Sequence, residues 1–521
     1  MNLISERWIS VRRADGSHER IAPWQLTDGV GGDNPIVAVA SPRPDFDGAL
    51  TQFLIGLLQT TCTPSEDQWW DWRKDAPPSP EVLKARFEAV AHAFELEGEK
   101  AFMQDFTPGQ LDKKFGIAAL LIGSPPEDSE TDLFIKQGSV EQLCPNCAAT
   151  ALFSLQTDSP EGGRGYRTGL RGGGPLTTLV LGSNLWETCW LNVLEKDRYL
   201  AGAVPEKNAE YERFPWFAPT RTSETEPPVG VTTTPVDIHP DQQFWSVPRR
   251  IRLLAEECGT TICDICGDET LQVYRAFKTK NYGVNYDGFE HPLSPHYTKD
   301  GARLPVHPQP GGIGYRHWLG LVESSIDNLQ RPARVVDQFR TLMRTDGDLW
   351  AFGYDMKSNK ARCWYDARMP VIVLPEGQEV AFRDLVGRLV NSADKVARDY
   401  LKKNLKAALF GEGKVRGDLS FIQSDFWDAT ESAFYDHLRQ LRATLPTDPL
   451  AIPVVESWWR ILRVTAFAVF DRHSGTGDFD AVNPRRIAKA RNDLGKALAG
   501  APLKEQILGL PSLPKPARKK P

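Results

Sequence analysis

At 521 residues and 58.2 kDa the chain exceeds what one hydrophobic core usually organises, and two or three domains are expected. Hydrophobic residues at 41%, charged residues at 25% and scattered Gly and Pro are those of a globular protein, which argues against disorder over most of the length. Net charge is −6, so a uniformly basic nucleic-acid coat is excluded, and eight Cys in a chain this long make no disulfide framework. No apolar run approaches the roughly 20 residues of a membrane span, and the first residues lack the basic and apolar regions of a signal peptide. A cytoplasmic, reducing location is the expectation, with no membrane partner.

In chain order, Trp8-Ile9-Ser10-Val11 reads as a strand, with a hairpin turn at Asp15-Gly16. Residues 47–61 place Leu50, Leu54, Leu57 and Leu58 at helical spacing, and residues 81–96 also read as helix. From about 100 to 370 the pattern breaks into Gly- and Pro-rich loops between short strand-like runs such as 176–181. Four helical patterns then follow, over 379–410, 419–442, 453–471 and 484–499, with Pro453 and Pro484 at first-turn positions where a missing N–H costs little. The expected fold is α+β: a large mixed N-terminal domain with long loops over 1–374, an all-α four-helix bundle over 375–512, and a basic tail over 513–521 without structure. His437, on an inner bundle face, reads as a hydrogen-bonded core residue.

Charge is uneven. Residues 481–521 hold ten Lys/Arg against two acids, a net +8 inside a chain of −6. Residues 383–406 add seven bases against three acids. Solvated helix faces and a polyanion-binding surface both fit these stretches, and composition does not choose between them.

Two Cys-x-x-Cys knuckles, Cys144/Cys147 and Cys263/Cys266, carry the most specific local chemistry. Each can point two thiolates at one ion, and together they complete the S4 set that structural Zn²⁺ favours, although residues 148–262 intervene. A closed S4 site leaves no position for substrate, so its expected role is to clip two distant loops. No Gly-x-Ser-x-Gly elbow, Walker A, His-Glu-x-x-His or clustered His/Asp set occurs, and no catalytic residue is assigned. His291 and His296 read as parts of a structural loop. Three loop segments stand out. Residues 161–175 combine glycines with Arg164, Arg167 and Arg171, which would let backbone and guanidinium groups approach a phosphate or a groove; a solvated turn is the plainer reading. Residues 274–282 interleave bases with aromatics, a texture that suits nucleic acid and equally an edge strand. Residues 354–362 read as a polar hairpin turn.

Taken together and in order, these residues resemble the CasA family, the large subunits of type I-E Cascade complexes in CRISPR immunity. The resemblance rests on Asn2-Leu3-Ile4 with Trp8-Ile9, Phe102-Met103-Gln104, Leu143-Cys144-Pro145-Asn146-Cys147, Gly169-Leu170-Arg171-Gly172-Gly173, Leu191-Asn192-Val193-Leu194, Phe244-Trp245, His291-Pro292 with Ser294-Pro295, and Gln338-Phe339-Arg340. It implies a non-catalytic subunit that recognises a short motif, the PAM, beside a double-stranded DNA target. Such a subunit helps open the duplex for guide-RNA pairing and R-loop formation, and docks a helicase-nuclease. Implied partners are the target DNA, the CRISPR guide RNA, and the backbone, small and handle-binding Cascade subunits. The family's lysine finger falls on Lys280, with Lys278 as the competing position, and its glycine loop on Gly163, Arg164 and Gly165. Its wedge falls on Asn359, Lys360 and Ala361, where the family carries Gln. Its guide-RNA and subunit contact falls on Phe134, Ile135 and Lys136. Charge alone adds a bundle face for a DNA strand: Arg388, Lys395, Lys402, Arg485, Arg486 and Lys489. Two other function classes are weighed against this reading: a zinc-stabilised nuclease, and an assembly scaffold that never touches DNA.

Overall fold

The computed structural model describes all residues except 126–134, 161, 201–208, 225–230, 328, 358–359, 375–376, 411–418, 476–482 and 512–521. Phe134, Asn359 and the basic tail therefore lie outside the described residues. Two compact units emerge. The first comprises Met1–Pro310, Pro332–Met343 and Gly347–Arg368; the second comprises Gly311–Arg331, Arg344–Asp346 and Met369–Pro521.

The first unit opens with strands β1 (Ile9–Arg13), β2 (His18–Ile21) and β3 (Ile36–Val39), ordered β2-β1-β3. Gly16 turns the first hairpin in the left-handed region, at φ +86°, where a side chain would be strained. Helix α1 (Pro44–Cys62) starts with Pro44 in its first turn and is buried along most of its length. Its Phe53 is the hub of an aromatic core, with ring centroids 5.4 Å from Trp8, 5.9 Å from Phe94, 5.6 Å from Phe153 and 5.7 Å from Trp245, all edge-on. Edge-to-face packing places positive ring edges against negative faces and adds to the burial of these large side chains.

The helix expected over residues 81–96 is shorter, Pro80–Glu88, followed by a single tight turn at Ala91–Ala93. The backbone beyond it is spent elsewhere. Leu3 N–H donates to the Phe94 carbonyl at 2.9 Å, Leu96 N–H donates to the Met1 carbonyl at 2.9 Å, and Phe94 itself enters the aromatic core.

Strand β4 (Lys113–Gly116), helix α2 (Pro145–Asp158) and strand β5 (Thr177–Leu181) lead to two long strands, β6 (Arg250–Ile262) and β7 (Glu269–Lys280). β7 is the central strand of the order β4-β7-β6, so the base-and-aromatic segment is not an edge. Its aromatics Tyr274 and Phe277 are buried. A hairpin of β8 (Gly347–Lys357) and β9 (Lys360–Val371) carries the 354–362 turn, and β8 pairs on its other side with β5.

The second unit is helical and has the four expected helices. Helix α3 begins as Glu379–Asp394, widens into a π-type turn over Lys395–Leu401 and ends as Lys402–Phe410. Helices α4 (Ser420–Thr444), α5 (Ile452–Ser474) and α6 (Pro484–Ala499) complete the bundle. Its core holds Leu385, Leu389, Phe426, Phe434, Leu462, Val469 and Leu494. Trp458 sits fully buried, its indole N–H donating to the Leu389 carbonyl at 3.1 Å and to Ser392 Oγ at 3.2 Å. Tyr315 stacks on Phe434 at 4.3 Å, with its hydroxyl 2.8 Å from Thr430 Oγ1. His437 is a core residue: buried, its Nδ1 lies 2.6 Å from the Ala433 carbonyl, and burial lowers its pKa. No described helix is long and apolar enough to cross a membrane.

Candidate nucleic-acid interface and metal centre

The glycine-rich segment is held from beneath by a buried ion pair. Arg171 is 2% exposed and donates to Thr177 Oγ1 at 2.9 Å, Ser294 Oγ at 3.1 Å and Gln52 Oε1 at 2.6 Å. Asp158, at the end of α2, lies 3.7 Å from it. Burial, against the pull of Arg171, raises the Asp158 carboxyl to about 7, and burial lowers the guanidinium to about 10. Arg171, grouped by sequence with the loop cations, thus works inside the fold. Arg167 is also engaged, donating to Ser223 Oγ at 2.7 Å.

The outer part of the loop is clamped to the end of β7. Asn281 Nδ2 donates to the Arg164 carbonyl at 2.7 Å, and Tyr282 N–H donates to the Gly165 carbonyl at 2.7 Å. Arg164 Nε donates to the Tyr282 hydroxyl at 3.1 Å. At Gly165, φ is +79°, and a Cβ would stand 2.9 Å from Asn281 Cβ; glycine is required by both conformation and space. Lys280 immediately precedes this clamp, one-third exposed, in a 3.5 Å ion pair with Glu224. Such a pair on a wet surface is weakly held, and its lysine is available to a stronger anion. Gly163 is open, with nothing near a notional Cβ.

Farther along, the same loop meets the β8/β9 hairpin. A Cβ on Gly174 would stand 2.8 Å from Met356 Cγ, and one on Gly353 2.6 Å from the Pro175 carbonyl. Residues 163–175 therefore run from the Lys280 strand to the hairpin, drawing together two segments far apart in sequence. Lys360 opens β9 and is exposed; Ala361, beside it, is 5% exposed and faces inward. Lys278, two residues before Lys280, is exposed.

The four knuckle cysteines meet. Their sulfurs all lie within 4.8 Å of one another, with Cys144 Sγ 3.7 Å from Cys266 Sγ. Tetrahedral Zn–S bonds of about 2.3 Å place sulfurs roughly 3.8 Å apart, so the set fits Zn²⁺. Cys144 N–H donates to Cys263 Sγ at 3.3 Å, and Gly267, at φ +75°, closes the second knuckle. Cys144, Cys147 and Cys263 are buried and Cys266 is half-buried. Hydrogen bonds from Cys144 and Cys147 push the Cys263 thiol down, while hydrogen bonding to Cys144, then Cys263 and Cys266, pushes Cys147 up. Four sulfurs this close need a cation before all can be thiolates. Around them, the Asp264 carboxylate accepts the N–H groups of Glu141 at 2.7 Å and Gln142 at 2.8 Å, and Leu143 exchanges backbone hydrogen bonds with Tyr274 at 3.0 and 2.9 Å. Cys62 and Cys189 are buried apart from this cluster. Ile135 is buried and Lys136 exposed at the start of the same segment.

His291 and His296 stay inside the fold, His291 accepting the Leu293 N–H at 3.2 Å. In the bundle, Arg388 pairs with Asp384 at 2.7 Å and Lys395 with Asp399 at 2.7 Å. Arg486 is not a surface cation: it donates to the Ala408 and Leu409 carbonyls at 2.7 and 2.8 Å and caps the end of α3. Lys402 is half-buried, whereas Arg485 and Lys489 lie exposed on α6, one helical turn apart. Sequence reasoning placed Tyr282 in the base-and-aromatic segment but not as the clamp on the glycine loop, and it missed the role of Asp264; a left-handed φ of +64° at Tyr282 has no local sequence signal.

The family described as CRISPR-associated protein Cse1 matches residues 2–469. Among solved structures, the chain is similar to Thermus thermophilus CasA, at 17% identity and TM-score 0.70, covering 96% of this chain and 99% of that one. It is similar to Thermobifida fusca Cse1, at 18% identity and TM-score 0.69, with 96% and 98% covered. A chain of a CRISPR RNA-guided surveillance complex gives 18% identity and TM-score 0.70, with 96% and 99% covered. At these identities the structures establish a shared fold, and the family match over residues 2–469 identifies the chain as a member of the CRISPR-associated Cse1 family.

Proposed function

We propose that this chain is the non-catalytic large subunit of a CRISPR RNA-guided surveillance complex, reading the PAM on double-stranded DNA and helping to open the duplex. The observation that carries this reading is the clamp of the 163–165 loop onto the end of β7 at Asn281 and Tyr282, directly beside Lys280. An open glycine backbone and a lysine held by a surface ion pair suit a narrow groove. Lys280 reaches acceptor atoms on base edges, Gly163 and Gly165 allow close approach, and Arg164 and Lys278 meet phosphates. Minor-groove edges carry a degenerate code, so several motifs are accepted.

The β8/β9 hairpin, joined to the same loop, is the wedge: Asn359 and Lys360 take the place of the family's Gln, Lys360 being exposed where β9 opens, and Ala361 packs inward. Unstacking costs about 1.4 kcal/mol per step, so a wedge nucleates opening while guide pairing drives the remainder. Phe134, Ile135 and Lys136 contact guide RNA and neighbouring subunits. Lys402, Arg485 and Lys489, with the ion-paired Arg388 and Lys395, face a DNA strand; Arg486 supports them by capping α3. Cys144, Cys147, Cys263 and Cys266 hold a structural Zn²⁺, which supplies the positive charge that joins the two knuckles. The helicase-nuclease docks on the assembled complex. Lys280→Ala in the complex tests the reading: affinity for motif-bearing duplex falls about tenfold or more while affinity without a motif is kept. Equal affinity for both duplexes in wild type and variant would refute it.

A further inference from the structure

The strand register around β7 aligns three cations that are scattered in sequence. Lys114 on β4 stands opposite Lys278 on β7, and Lys278 stands opposite Arg252 on β6. Directly opposed residues project from one face of a sheet, so these side chains form a single row across three strands, roughly 10 Å from end to end. Lys114 and Lys278 are exposed, and Arg252 is half-buried. Arg252 is tethered by its guanidinium to the carbonyls of Gly98 and Glu99. Neither Lys114 nor Lys278 is in an ion pair among the described residues.

Several acids close to these strands are engaged with other partners. Asp105 holds Arg250 at 2.6 Å, Glu224 holds Lys280 at 3.5 Å, Glu256 holds Arg275 at 2.8 Å, and Glu97 accepts the Tyr274 hydroxyl at 2.7 Å. Like charges placed directly across an antiparallel pair destabilise it; among the described residues no acid forms an ion pair with the row, and Asp105 acts on Arg252 only from a distance. Lys280 lies two residues along the same strand face from Lys278, about 7 Å away, and continues the row to the glycine loop. A ligand matching it carries regularly repeated negative charge, as a phosphodiester backbone does.

We propose that the Lys114–Lys278–Arg252 row is a phosphate-gripping site for the duplex beside the motif, with Lys114 and Lys278 on phosphates and Arg252 holding the edge of the row in place. The proposal rests on the DNA-reading function above and divides its labour: Lys280 and the glycine loop read the flank, and the row grips the backbone whatever its sequence.

The test uses the assembled guide-RNA complex carrying wild-type chain, Lys114→Ala/Lys278→Ala, Lys114→Arg/Lys278→Arg or Lys280→Ala. Duplex affinity is measured over a range of KCl concentrations, with and without the motif. The alanine pair lowers the slope of log K against log salt by about 2, since each lost phosphate contact removes about 0.9, and weakens all flanks equally. The arginine pair retains the slope. An unchanged slope in the alanine pair, with Lys280→Ala still abolishing flank preference, overturns the row and leaves the reading site intact. Loss of subunit assembly with an unchanged DNA slope overturns it in favour of an acidic protein face. Absence of flank preference in wild type, with the alanine pair still lowering the slope, refutes the reading site and leaves the row standing.

Discussion

Replacing Cys266 by Ser removes one ligand from a sulfur set that ties Cys144 and Cys147 to Cys263 across the intervening residues 148–262. Closing a loop of about 100 residues with a covalent clip stabilises by roughly 4–5 kcal/mol in the chain-entropy account. The Leu143–Tyr274 backbone pair and the Asp264 carboxylate contacts remain in the variant and hold part of the junction. About 4 kcal/mol of local stability is therefore expected to go, which speeds amide exchange at Leu143 and Tyr274 about 10³-fold. Metal analysis of protein purified without added zinc should give close to one equivalent in wild type and less than about half in the variant. Exchange is then compared by mass spectrometry across residues 135–147 and 263–274. Full metal occupancy in Cys266→Ser, or unchanged exchange in metal-free wild type, would refute the argument that the cysteines form a metal clip.

Two further outcomes follow from two carboxylates, one buried and one exposed, and their partners. Asp158 has its folded-state carboxyl raised to about 7 from an ordinary 3.8, so the folded protein holds a proton that the unfolded chain releases between those values. Its contribution is greatest below the ordinary carboxyl value and is lost as pH rises toward 7, and Asp158→Asn should flatten that part of a stability–pH profile; an unchanged profile would contradict it. Asp264→Asn should expose the Glu141 and Gln142 amides to exchange at least tenfold faster while leaving metal content at one equivalent, because it weakens two charge-assisted hydrogen bonds and no sulfur ligand. Loss of metal, or unaltered exchange, would count against its role.

The bundle was legible because 3.6-residue periodicity survives without tertiary help: Leu385, Leu389 and Ala393 mark one face, and Pro453 and Pro484 mark two starts. The knuckles were legible as ligands by spacing. Their meeting was visible only through the four-sulfur chemistry of zinc, since no local rule joins residues this far apart. Other sites were decided by tertiary contacts. Arg171 and Arg164 look alike in sequence, yet one is 2% exposed under the loop and the other reaches Tyr282 on its surface. Arg486 and Arg485 are neighbours, and only Arg486 turns inward to cap a helix. The helix expected through residue 96 ended at Glu88 because the N-terminal segment claims the backbone of Phe94 and Leu96. Pairings of that kind depend on distant segments, which is also why the Lys114–Lys278–Arg252 row emerges only from register.

The central claim, motif reading on duplex DNA, is tested most directly by a guide-RNA complex lacking its large subunit. Binding is measured to duplex targets with a randomised flank, with and without this chain. The account predicts that the chain restores binding and enriches a subset of flanks, and that Lys280→Ala removes the enrichment. Restored binding with no flank preference, or no restoration, would contradict it.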